Sequence, residues 1–132
     1  VSRENNEKLL SLLVEKEERD KILYDAFGYQ EAIHKSDKTY RIMISGNQIG
    51  KTTAVMREVL WWGLNRHPYL ELPKKRKVIL VVGVTMEEVD QALWQQKLEP
   101  WIPKKELKNV KKAGIYVSEV HFKNGNVIPN VY

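Results

Sequence analysis

The chain has 132 residues and 42% hydrophobic content, enough for one domain with a packed core. There are 22 basic and 17 acidic residues, a net charge of +5 that favours an anionic partner such as nucleic acid. Without cysteine there can be no disulfide or thiolate metal site, and no apolar run nears the ~20 residues of a membrane span.

The opening is polar and charged, which predicts no secretory signal and makes a cytosolic protein the expectation. Starting at Val1 rather than Met suggests a processed product or a fragment. Residues 3–24 predict a helix, with Leu9, Leu12 and Leu13 as an apolar patch at helical spacing. The charge run 15–21 reads as its solvated face. Ala26-Phe27-Gly28-Tyr29-Gln30 predicts a turn, followed by a short helical stretch to about Lys35.

Arg41-Ile42-Met43-Ile44-Ser45 predicts a short strand, apolar on both faces as in a sheet covered on both sides. A loop over 46–50 and a helix over 52–64 follow; Val55, Val59 and Trp62 mark the helix face. Val78 to Val84 predicts a second buried strand. Thr85 and Glu88 form a capping-box pattern before another helix, which Pro100 and Pro103 are expected to stop. Ile115 to Phe122 predicts a strand, and Asn124-Gly125 a tight turn with positive φ at both residues, leading to a second arm over 127–132. Strands alternating with helices predict an α/β fold with a parallel sheet core, an N-terminal helix and a C-terminal β-hairpin.

Ser45-Gly46-Asn47-Gln48-Ile49-Gly50-Lys51-Thr52 carries the chemistry. The phosphate-loop pattern is G-x-x-x-x-G-K-[ST]; serine stands at its first position here, and Gly50-Lys51-Thr52 completes it. Backbone N–H groups of such a loop converge on phosphate oxygens, and the following helix N-terminus adds donors and partial positive charge. Lys51 can reach the β- and γ-phosphates, and the Thr52 hydroxyl can ligate Mg²⁺. These residue types predict binding of a nucleoside triphosphate with Mg²⁺.

Positions 45–53, ending in Thr53, resemble the Walker A segment of the large terminase subunit of tailed bacteriophages. Upstream, Phe27-Gly28-Tyr29-Gln30 is similar to that family's adenine-recognition motif, and Gln30 lies 20 positions before Gly50. A glutamine carboxamide can accept from adenine N6 and donate to N7, with Tyr29 or Phe27 stacked on the base. The resemblance covers about Tyr24 to Asn126, including the His67-Pro68-Tyr69 segment after the loop helix.

It implies an ASCE-type P-loop NTPase fold: a leading helix over 1–25 and a nucleotide-binding core over 26–132 that ends before the Walker B strand. It further implies an ATPase driving double-stranded DNA into a procapsid in the host cytoplasm, without a membrane. Its partners would be a small terminase subunit, a portal protein and copies of itself in a ring. Lys51 and Thr52 would carry the catalytic roles, with Tyr29, Gln30 and 45–53 as ATP ligands.

Two departures qualify that implication. Many terminases carry an arginine inside this loop, where Asn47 and Gln48 stand here. No apolar strand ending in Asp and followed by a catalytic Glu appears, so weak or absent hydrolysis is expected of this chain. A helicase-like P-loop ATPase and a non-hydrolysing nucleotide-binding assembly module are the alternatives. Lys74-Lys75-Arg76-Lys77 and the lysines at 104, 105, 108, 111 and 112 read as surface charge or as phosphate contacts. The tryptophans read as core or interface, and the three histidines lack zinc-ligand spacing.

Overall fold

The computed structural model describes residues 3–22, Tyr24, 26–44, Gly46 and 50–131, with the backbone path alone at 17–22 and Val131. Three consecutive strands, β2 (Leu107–Ala113), β3 (Tyr116–Phe122) and β4 (Val127–Val131), pair antiparallel. β1 (Val81–Val82) joins the free side of β4 in parallel, in register Val81 with Asn130 and Val82 with Val131. The result is a mixed α/β fold on an open, mixed sheet in the order β1-β4-β3-β2. The expected parallel core is thus reduced, among the described residues, to the β1–β4 pair and a bridge from Val78 to Val127.

One face of the sheet carries the core. Val120 and Ile128 stand opposite each other in register and are fully buried, with Phe122 beside them. Helix α3 (Lys51–Leu64) packs on this face through Met56, Val59, Leu60 and Gly63, the i, i+3, i+4, i+7 set of one helical stripe. Gly63 permits the contact: a Cβ there would stand 2.8 Å from the Phe122 ring. A second helix begins as α4 (Met86–Glu88), passes through a π-helical stretch Val89–Leu98 and ends as α5 (Glu99–Trp101). It contributes Val89, Trp94 and Leu98 to the same core. Its start is as expected, with Thr85 Oγ1 accepting from Glu88 N at 3.1 Å. Its end is as expected too: the helix stops at Trp101, between Pro100 and Pro103, with Ile102 already extended before Pro103.

Two strand expectations need correction. Residues 41–44 form no strand pairing, and Ile42 and Ile44 are 81% and 91% exposed. Arg41 is instead tied to helix α2 (Gly28–Lys35), donating to Ile33 O at 2.9 Å. The 78–84 run is buried on one face only: Val81 is buried, while Val78, Leu80, Val82 and Val84 are exposed. Both helices that cover the sheet lie on the Val81 side, so the other face of the run gains no cover among the described residues.

The hairpin is present, with a different turn. Gly125 has φ 93°, but Asn65 is the one described non-glycine residue with positive φ, so Asn124 is not left-handed. Gly125 N donates to Phe122 O and Phe122 N to Asn126 O, a three-residue loop with glycine at its left-handed position. Strand β2 was not anticipated, because its lysines read only as surface charge or phosphate contacts. Helix α1 (Arg3–Ile22) forms as expected, with Leu9, Leu12 and Leu13 more than half exposed. Among the described residues no helix is long and apolar enough to cross a membrane.

Candidate phosphate-binding site

The phosphate-loop pattern meets the structure at the N-terminus of α3. Gly50 is its N-cap with φ 86°, a left-handed conformation that glycine adopts without steric cost. Lys51 and Thr52 open the helix, where the first-turn N–H groups lack helical acceptors. Thr52 is exposed and Lys51 half-buried. Gly46 is exposed, and a Cβ there would meet nothing within 4 Å, so its backbone is open to a ligand. Ser45, Asn47, Gln48 and Ile49 lie outside the described residues. Thr53 is turned inward, its Oγ1 accepting from Lys97 Nζ at 3.1 Å. Lys97, on the π-helical stretch, is a cation beside the site that no sequence motif marked.

Gln30 is brought to the loop across the 20 intervening residues. Its side chain is 2% exposed; Oε1 accepts from Phe27 N at 2.8 Å, and Nε2 donates to Gly50 O at 2.9 Å. The carboxamide therefore ties the start of α2 to the end of the phosphate loop. Contact is close enough that a Cβ on Gly50 would lie 2.6 Å from Gln30 Nε2. Gly50 is thus required twice, for its φ and for this approach. Phe27 and Tyr29 stack on each other at 6.3 Å and remain exposed, Phe27 at 64%.

Behind the loop lies a polar hub centred on Glu58 of α3. Its Oε1 receives His34 Nδ1 at 2.7 Å and His67 Nε2 at 2.9 Å, and its Oε2 receives Trp62 Nε1 at 3.0 Å, with Arg41 at 3.5 Å. His67 Nδ1 accepts from the backbone N–H groups of Tyr69 and Leu70, so its proton sits on Nε2, toward Glu58. His34 passes its other nitrogen to Tyr24 Oη at 2.7 Å. Burial alone would raise the Glu58 pKa, but the hydrogen bonds from His34 and His67 and the charge of Arg41 hold it below its ordinary value. Burial pushes the Tyr24 hydroxyl up to about 12, against the opposing charge of Arg57. The hub links α2, α3, the 41–44 segment and the 66–70 loop. Its members are scattered in sequence; only the i, i+4 spacing of Glu58 and Trp62 could have signalled part of it.

Between the start of α3 and β1 runs a cleft of ≈ 300 Å³, lined by Lys51, Thr52 and Val55 on one side and Leu80, Val82 and Leu93 on the other. The tryptophans take core positions or pack around the helices. Trp94 is buried, Trp61 contacts His34 and His67, and Trp101 stacks on the buried Arg57 guanidinium at 4.2 Å. Asp90 is spent on structure, with Oδ1 accepting from Val117 N and Oδ2 from Gln95 Nε2. Among the described residues no group of three or more His, Asp or Glu side chains is arranged to hold a metal ion. Comparison with protein-family models, curated proteins and solved structures yields no match to this chain.

Proposed function

We propose that residues 45–53 bind the phosphates of ATP with Mg²⁺, and that the chain is the nucleotide-binding part of a DNA-packaging motor of the large-terminase kind. One observation carries the reading. The Gly50-Lys51-Thr52 sequence stands at a helix N-terminus, with the upstream Gln30 hydrogen-bonded to Gly50. Backbone donors at that terminus suit phosphate oxygens. Lys51 supplies the countercharge, and Thr52, exposed, supplies a hydroxyl for the metal ion.

Gln30 has one N–H and one oxygen lone pair left after its bonds to Phe27 and Gly50, but its side chain is 2% exposed, so pairing with an adenine edge requires the 27–30 segment to open. The exposed Phe27–Tyr29 pair offers the base a stacking surface. The proposed parent activity is ATP hydrolysis coupled to translocation of double-stranded DNA in the host cytoplasm. It would work in a ring of copies together with a small terminase subunit and a portal protein. Hydrolysis by this chain alone is expected to be slow, because its sequence shows no apolar strand ending in Asp and followed by a catalytic Glu. A helicase-like ATPase or a non-hydrolysing assembly module would share the loop and differ in turnover.

Calorimetric titration with ATP and Mg²⁺ tests the binding step. Lys51→Ala removes a charge-assisted phosphate contact and should weaken affinity on the order of 10- to 100-fold. Unchanged affinity in that variant would sink the reading.

A further inference from the structure

The basic runs that the sequence keeps apart are assembled at one end of the molecule. Arg76 Nε donates to Gly125 O at 2.9 Å, and Lys77 N to Asn126 Oδ1 at 2.8 Å, so the 74–77 loop is docked on the β3–β4 turn. Lys123 N donates to Glu106 O at 2.9 Å, which brings the 104–106 turn to the same place. Asn126 is the buried hub of this end, donating to Trp62 O and Gly63 O at the last turn of α3.

Charge is concentrated here. Segments 74–77 and 104–106 with Lys123 hold seven cations and one acid, a net +6 against +5 for the whole chain, leaving the remainder at −1. The one acid, Glu106, is ion-paired to Arg66 at 2.6 Å. Lys74, Lys75, Arg76, Lys104, Lys105 and Lys123 are all exposed. Edge protection of a sheet asks for a lysine or two on an edge strand. It does not explain cations gathered from three segments around a turn.

From this placement we infer that the β3–β4 turn end of the sheet is a docking surface for the phosphate backbone of duplex DNA, read without sequence preference. Six of the seven cations are lysines, point charges suited to phosphate and lacking the planar fork that reads guanine. The segments 74–77, 104–106 and 123–125 contain no aromatic residue, so they offer no stacking platform of the kind that single-stranded binders use. They contain no aliphatic residue either, so nothing in them inserts into a bilayer. The surface lies at the C-terminal end of α3. The phosphate loop lies at the N-terminal end, about 20 Å away at 1.5 Å per residue, so the two anion sites are separate.

This inference rests on charge placement and stands apart from the ATP reading. The test is fluorescence anisotropy of the full chain with a labelled 20-base-pair duplex of mixed sequence, across a salt series. Lys75→Gln/Lys105→Gln should weaken binding at least about tenfold and flatten the log–log salt slope by about 2. Lys8→Gln/Lys38→Gln removes the same charge from exposed sites elsewhere and should stay within about twofold of the parent. Equal weakening by the two pairs would overturn the inference. So would absence of duplex binding at low salt, or tighter binding to single-stranded DNA of equal length or to phosphatidylserine vesicles. A parent chain that binds ATP with Mg²⁺ but not the duplex would condemn this surface alone.

Discussion

Glu58 shows how much one carboxylate can organise. It accepts from two imidazoles and an indole, and it pairs with Arg41. Its folded pKa is lowered, so its ionised form stabilises the native state above the unfolded pKa. That contribution disappears as pH falls through the folded value. Glu58→Gln should therefore cost about 2 kcal/mol at pH 7 in urea unfolding, and should flatten the loss of stability below about pH 4.5. A variant with the parental slope in that acid range would show that another group titrates. Apart from the i, i+4 spacing of Glu58 and Trp62, none of this was readable beforehand, since the partners at 34, 41 and 67 share no motif with Glu58. Gly50 was readable, because the phosphate-loop pattern demands glycine there. Its second duty, making room for Gln30, was visible only once the two were in contact.

Among the elements, those with a strong local signal appeared where expected. α3 and the β3–β4 hairpin at Asn124-Gly125 formed, but the α3 face read from Val55, Val59 and Trp62 shares only Val59 with the buried stripe of Met56, Val59, Leu60 and Gly63, and Val55 is 50% exposed. Failures came where burial had to be guessed. Residues 41–44 and 78–84 are apolar enough for strands covered on both faces, yet Ile42, Ile44, Leu80 and Val82 remain exposed. Composition states what a segment tolerates, and its neighbours decide whether it is covered. β2 was missed for the opposite reason, since an edge strand carries lysine without penalty. The α3–sheet contact yields a test of packing against propensity. Gly63→Ala should gain up to about 1 kcal/mol of helix propensity. The clash with Phe122 costs about 1–3 kcal/mol and should win, lowering the urea midpoint. A raised midpoint would mean the helix shifts without cost.

In the molecule as a whole, the described side chains of α1, residues 3–16, stand apart from the core cluster. The α1 leucines are more than half exposed, and the core cluster draws its residues from position 56 onward. Removing residues 1–21 should therefore change the free energy of unfolding by no more than about 0.5 kcal/mol, measured by urea titration. A loss of several kcal/mol would reveal a core contact for that helix.

The phosphate-loop sequence pattern, the helix after it, the hairpin and the excess of positive charge were all legible as residue patterns, because each depends on neighbours a few positions away. Folding in three dimensions settled which face of the sheet is covered, that Gln30 bonds to Gly50, and that three basic runs share one end. Those outcomes depend on contacts between residues 17 to 64 positions apart, whose energies no local pattern records.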